Sequence, residues 1–329
     1  MNKNAGHNLL NDGRANAASE LVKQFYVGLL SREPDQAGLS CYLELLGGGA
    51  SIADVLRAIV ASPEFESKHP QPSLPTIDAD VGEFVINGHR MIVPLHDVVY
   101  FGSRASGAYE VHVSHTITEQ LKLGGTFLDI GSNIGAHSIA ASAKVGPRGT
   151  IFSVDASIEN CAVLNKSIRC FGYDNILIMP QAVGVLPAIE NITIDDRSSN
   201  KVVRKEATEN SLKIAVTTID HLLGHVGTVD LIKIDVEGRE AGVLRGAAQL
   251  LQKSKCPVVA EYLGRDLAQY ADSEGHFTDF LIEMGYTGFV IERDLSLTKL
   301  DGSPASFEIA VNAERKIGGD HVDLMFRIT

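Results

Sequence analysis

The residues most able to do chemistry fall in two short stretches. In Lys233-Ile-Asp-Val-Glu-Gly-Arg-Glu240, strand alternation puts Lys233 and Asp235 on one face and Ile232, Ile234 and Val236 on the other. Glu261, at the end of the apolar run Val258 to Tyr262, is expected at the same sheet edge as Asp235. Two close carboxylates there can raise one another's pKa, accept a proton from a hydroxyl, or share a divalent cation. Glu237, Glu240 and His137 are the further candidates for proton transfer. Each has a plainer alternative. Lys233 and Asp235 can form a buried ion pair, and Glu237 and Glu240 suit the first turn of a helix pinned to the core by Leu244, Ala248 and Leu251. His137 fits a solvent-facing helix position.

The second stretch, Phe127-Leu-Asp-Ile-Gly-Ser-Asn-Ile-Gly135, reads as a strand, a glycine turn and then a helix over Ala136 to Lys144. Such a turn is expected to aim backbone N–H groups and the positive helix end at a ligand. Asp155 closes the next strand about 20 residues further on, the spacing at which a carboxylate accepts hydrogen bonds from ribose hydroxyls. S-adenosylmethionine and NAD both carry a ribose, and the glycines distinguish them. A dinucleotide pyrophosphate needs G-x-G-x-x-G, whereas Asn133 occupies the second glycine position here. A sulfonium cation needs no such approach and suits the carboxylate of Asp129. The alternative is that Asp129 caps the turn and Gly131 and Gly135 only permit tight packing.

These residues need a scaffold, and the pattern supplies one. Runs at Thr126–Ile130, Thr150–Val154, Ile176–Met179, Leu231–Val236 and Val258–Tyr262 alternate with helical stretches, which predicts a parallel sheet covered by helices. Asn87-Gly88 between apolar runs predicts a hairpin at the start of this domain. Thr217-x-x-Asp220 predicts a capping box for a short helix, and the polar stretch 195–211 an exposed loop. Ahead of them, Leu21, Phe25 and Leu29 form a helical stripe with Ser19 as its N-cap. Leu39–Leu46 forms a second helix after the turn Arg32–Asp35, and Ser51-x-x-Asp54 caps a third. Three prolines within His69–Pro75 make a stiff linker, so the expected domains are 1–68 and 77–329, with 69–76 between them.

A net charge of −12 argues against a nucleic-acid partner, because phosphate backbones are held by Lys and Arg clusters. Met1–Arg14 lacks the apolar stretch of a secretory signal, no run is long enough to span a bilayer, and a cytoplasmic location is expected. Cys41, Cys161, Cys170 and Cys256 are scattered and are expected to be reduced and mostly buried, with no metal site among them.

The blocks TFLDIGSNIGAHSIAASAKVGPRGTIFSVDAS, QAVG at Gln181, VTTIDHLL at Val216, VDLIKIDVEGREAGVLRGAAQLL at Val229 and VVAEY at Val258 resemble the FkbM-type methyltransferases in content and order. The resemblance implies a Rossmann-like sheet of seven strands in the order 3-2-1-4-5-7-6, with Thr287–Glu292 and Val322–Ile328 as the last antiparallel pair. It also implies S-adenosylmethionine as cofactor and methyl transfer to a hydroxyl of a sugar, glycolipid or natural product. Asp155 stands where the family usually has Glu, Tyr109-Glu110 matches a position near the cofactor, and Gln181-Ala182 would flank the adenine. The cofactor set expected is thus Glu110, Asp129, Gly131, Ser132, Asn133, Gly135, Asp155, Ala156, Gln181, Ala182 and Asp235. Leu21–Phe65 resembles a small bacterial domain of unassigned function found beside glycan-modifying enzymes, which implies a protein or glycan partner. Two rival functions remain: an NAD-dependent oxidoreductase and a non-catalytic adaptor.

Overall fold

In the computed structural model the chain divides into two compact units, residues 1–73 and 74–329. The structure describes the chain from residue 18 onward, apart from 24, 28–29, 31, 49, 51–53, 56–57, 60–61, 65–79, 194–201, 204–210, 225, 265–275, 317–320 and 329. The proline linker and Ser51 of the expected capping box lie outside the described residues.

In the first unit, Ser19 is not an N-cap, because Ala18 is already helical. The helix expected from Leu39 runs over Gln36–Gly47 and starts earlier because Asp35 caps it, accepting a 2.7 Å hydrogen bond from the Gly38 amide. Val22, Phe25, Val55 and Ile59 are buried.

The second unit opens with the hairpin β1 (Val81–Ile86) and β2 (His89–Pro94). Asn87 and Gly88 have φ of 49° and 82°, as a two-residue turn with both central residues left-handed requires. Helices Phe101–Ser106 and Val111–Gln120 follow. β3 (Thr126–Ile130), β4 (Thr150–Asp155) and β5 (Ile176–Pro180) pair in parallel, joined by helices Ala136–Val145 and Ile158–Phe171. β6 (Ala182–Val183), β7 (Ala188–Thr193), β8 (Val202–Val203) and β9 (Ser211–Thr217) make a separate sheet of order β6-β9-β7-β8. β10 (Leu231–Ile234), β11 (Val258–Tyr262), β12 (Tyr286–Ile291), β13 (Leu297–Lys299) and β14 (Val322–Ile328) complete the main sheet, whose order is β13-β12-β14-β11-β10-β3-β4-β5.

The main sheet has eight strands where seven were expected. β13 is the addition, paired antiparallel with β12 at the edge. β3, β4 and β10 are buried on both faces, which is why they read as mainly apolar runs, broken by Asp129, by Ser153 and Asp155, and by Lys233. Three local expectations are corrected. β10 ends at Ile234, so Asp235 and Val236 belong to the following turn. Helix Ile219–Leu223 is capped by Thr218, not Thr217, while Asp220 accepts from the amides of Gln249 and Leu250 at the start of helix Ala248–Ser254. The expected loop 195–211 contains β8 and the first residue of β9. Among the cysteines, Cys161 and Cys256 are buried but Cys41 and Cys170 are exposed, and all four are free.

Candidate functional site

The carboxyl ends of β3, β4 and β10, with the segment after β5, surround a cleft. Gly131, Ser132 and Asn133 line one side, Asp155, Ala156 and Asn160 the next, Gln181–Val183 the third, and Asp235–Glu237 with Arg239 the last. Tyr100, Tyr109, His137 and Lys233 also face it.

The glycine turn does not offer its amides to a ligand, contrary to expectation. The N–H groups of Gly131 and Ser132 donate to Val154 O (2.8 and 3.1 Å), Asn133 N–H to Asp155 Oδ2 (2.7 Å), Ile134 N–H to the Asn133 side chain (2.7 Å) and Gly135 N–H to Ser132 O (2.9 Å). Every backbone N–H from 131 to 135 is therefore spent inside the fold. The two glycines are there for packing. A Cβ on Gly131 would sit 1.7 Å from Asp235 O, and one on Gly135 would sit 2.3 Å from Leu164 Cδ1. Gly135 does not face the cleft; it lets the helix lie against Leu164.

Asp155 holds both sides of the turn, accepting from Asn133 N–H and, through Oδ1, from Ser157 N–H at 2.8 Å. Burial lifts its pKa to about 6 against the pull of those amides. Asp129 lies beneath the turn, fully buried. Its Oδ2 accepts from Ser138 Oγ at 2.6 Å, whereas Asp129 Oδ1 and Ser132 Oγ are buried and meet no hydrogen-bond partner. Orphaned polar atoms at this position fit a polar ligand or water entering the cleft.

Lys233 and Asp235 form the buried ion pair considered above, Nζ to Oδ2 at 3.0 Å. Burial alone would lower the Lys233 pKa, but Asp235, Asp129 and Glu110 surround it and hold it charged. Three carboxylates around one ammonium leave the region net negative, which favours a cation.

His137 is buried rather than solvent-facing. Its Nδ1 lies 3.0 Å from Ser114 Oγ and its Nε2 2.9 Å from Glu110 Oε2. A carboxylate can only accept, so Nε2 carries the proton and Nδ1 accepts from Ser114. Ser114 Oγ in turn accepts from Asn87 Nδ2 at 2.9 Å, and Asn87 also bonds both the N–H and the C=O of Tyr109. The hairpin turn thereby fixes Tyr109-Glu110, where Glu110 adopts a left-handed φ of 38°. Burial would raise the Glu110 pKa, but the hydrogen bond from His137, with the charge of Lys233, brings it down to about 2. Glu110 lines a second cleft, not the first, and is hydrogen-bonded to His137 on the wall of the first.

Glu240 is also away from the cleft. Its Oε1 accepts from Val236 and Gly238 amides at 3.0 and 3.1 Å, tying the turn after β10, and burial raises its pKa to about 7. Glu237 faces the cleft with φ of 57°. Glu261 does not line it. Burial and the adjoining Asp235 carboxylate, with which it shares a hydrogen bond, raise its pKa well above the usual range. Among the described residues no group of three or more His, Cys, Asp or Glu is arranged to hold a metal ion.

Sequence reasoning missed Tyr100, Asn160, Val183 and Arg239. No spacing marks Tyr100, which reaches the site through its stack on Tyr109 at 4.5 Å. Arg239 sits inside a quoted block, but its buried pairing with Glu190 on β7 could not be read from the chain.

Compared with known proteins, residues 129–287 match the methyltransferase FkbM domain. Residues 12–69 match a domain of unknown function, DUF4214. The hexuronic acid methyltransferase AglP of Haloferax volcanii is 27% identical over 161 residues, 48% of this chain and 64% of that relative's length. Solved structures similar to the chain include the methyltransferase FkbM of Methylobacillus flagellatus, with 13% identity, a TM-score of 0.41 and coverage of 95% of this chain and 60% of that one. A precorrin-6y C5,15-methyltransferase from Geobacter metallireducens has 13% identity, a TM-score of 0.36 and coverage of 67% and 88%. The FkbM match begins at Asp129 and ends at Thr287, so Glu110, His112, His321 and Asp323 lie outside it. No helix among the described residues is long and apolar enough to cross a membrane.

Proposed function

We propose that the FkbM domain binds S-adenosylmethionine in the first cleft and transfers its methyl group to a hydroxyl of a sugar-like acceptor. The observation that carries this reading is that every N–H from 131 to 135 is already used, while carboxylates crowd the site. A dinucleotide pyrophosphate would find no free amides in that turn, and a sulfonium finds a net negative wall. Asp155 would accept from the ribose hydroxyls with its remaining lone pairs, Gln181 and Ala182 would flank the adenine, and Asp129 with Ser132 would meet the polar end of the cofactor. Asp235 would face the cationic end.

The bound cofactor supplies an activated methyl group. Methyl transfer to oxygen is an in-line displacement, so the chain's own task is to hold the acceptor in line and remove its proton. Burial and the adjoining carboxylate disfavour the ionised form of Glu261, and Asp235 is committed to Lys233. The sugar-like acceptor follows the name of the Haloferax relative, and the choice of oxygen follows from the hydroxyl-rich surface of sugars. Isothermal titration of the whole chain tests the donor: S-adenosylmethionine should bind and NADH should not. NADH binding without S-adenosylmethionine binding would reverse the assignment, and release of S-adenosylhomocysteine with an acceptor would dispose of a non-catalytic adaptor.

A further inference from the structure

A second cleft lies behind Tyr109-Glu110, lined by Glu110, His112, Arg293, Glu314, His321 and Asp323. It adjoins the first in two places. Glu110, on its wall, bonds His137 on the wall of the first cleft. On the other side, Asp235 faces the first cleft and shares a hydrogen bond with Glu261, whose Oε1 lies 3.1 Å from His321 Nδ1 in the second. Glu261 and Asp323 are cross-strand partners on β11 and β14.

Within this cleft His112 Nε2 lies 2.8 Å from Asp323 Oδ2, and both side chains are largely buried. The carboxylate accepts, so Nε2 carries the proton and the lone pair of His112 is on Nδ1, which meets no other partner among the described residues. We propose that this second cleft is the acceptor site, that it takes a neutral polyhydroxylated sugar rather than a uronate, and that His112 is its general base, positioned by Asp323. The inference rests on the methyltransferase reading above.

The charge of the walls selects the acceptor. Glu110, Glu314 and Asp323 face Arg293, the one permanent cation of the cleft among the described residues, and Arg293 is paired with Glu314 at 3.2 Å. A sugar carboxylate would add a further negative charge to walls whose acids outnumber their one permanent cation, whereas sugar hydroxyls can both donate to carboxylates and accept from imidazole and guanidinium N–H. In the reaction, the acceptor O–H proton passes to His112 Nδ1 and the oxygen lone pair forms the C–O bond. The methyl–sulfur bond breaks, and its electron pair stays on sulfur. The products are the methyl ether, neutral S-adenosylhomocysteine and an imidazolium stabilised by Asp323.

The experiment uses the whole chain with methyl α-D-glucopyranoside, methyl α-D-galactopyranoside and methyl α-D-mannopyranoside, and the glucuronide of the first as the anionic probe. Saturation-transfer NMR without cofactor reports sugar binding by itself, and S-adenosylhomocysteine release reports turnover. A neutral glycoside should bind and be methylated, with the glucuronide at least about tenfold poorer in both. His112→Gln should lower kcat by about 10²-fold or more, with sugar binding, KM and melting temperature little changed. Asp323→Asn should lower kcat by about tenfold and leave KM in place, a split that loss of structure would not produce. Absence of neutral-sugar binding, a preference for the glucuronide, or full kcat in His112→Gln would overturn the proposal. Sugar binding in the second cleft without any S-adenosylmethionine binding would instead overturn the donor assignment and leave the acceptor cleft standing.

Discussion

The two halves of the cleft region are built differently. The β3–β4 half draws its turn, its helix and Asp155 from 127–155, and its hydrogen bonds close locally: Asp155 on Asn133 and Ser157, the turn amides on Val154. The β10–β11–β14 half gathers His112, Asp235, Glu261, His321 and Asp323 from far-separated parts of the chain, and it leaves protons and lone pairs in play. The first half is a closed frame against which a ligand can rest. The second holds shared protons, which is the condition for proton transfer.

The sharpest way to break this contrast is at Gly131. Because its φ is 74° and a Cβ would strike Asp235 backbone, Gly131→Val should cost at least about 3 kcal/mol or prevent folding. Thermal melting reads it; a stable variant that merely binds cofactor less well would return the glycine to a ligand role.

Glu240 probes the other half. Its folded pKa near 7 exceeds the model-peptide value of 4.5, so the folded state keeps a proton that the unfolded chain releases. Its contribution is therefore present below about pH 4.5 and lost as pH rises through about 7, by up to roughly 3 kcal/mol. Glu240→Gln, which preserves the acceptor for Val236 and Gly238 N–H, should flatten that part of the stability–pH curve. An unchanged slope in denaturant titrations at pH 5 and pH 8 would show that Glu240 is ionised in the fold.

Asp155→Ala should weaken S-adenosylmethionine binding by about 1.5 to 3 kcal/mol for each ribose bond lost, measured by calorimetry on a variant shown by melting to remain folded. Unchanged affinity would remove Asp155 from the ribose. The smallest effect belongs to the first unit: a chain beginning at Thr76 should bind S-adenosylmethionine within about twofold of the whole protein, as expected of a separate domain. A loss of binding would make the two units one cooperative body.

Much of the frame was legible in the sequence because its information is local. β3 and β11 need only apolar runs buried on both sides, the hairpin needs only Asn87-Gly88, and the cleft residues Gly131, Ser132, Asn133, Asp155, Gln181 and Asp235 sit at strand ends that such runs announce. What those residues do for one another was decided by the tertiary structure. That the turn amides are consumed depends on Val154 and Asp155 arriving alongside. That His137 is buried depends on Ser114 and Glu110, themselves fixed by a hairpin residue more than twenty positions away. That the Glu261 pKa is raised depends on its burial and on Asp235 and Asp323 converging with it at the sheet edge. Periodicity fixes which way a side chain faces along its own element, but a proton's position depends on every charge and dipole packed around it, and those come from strands and helices whose order in space no local pattern encodes.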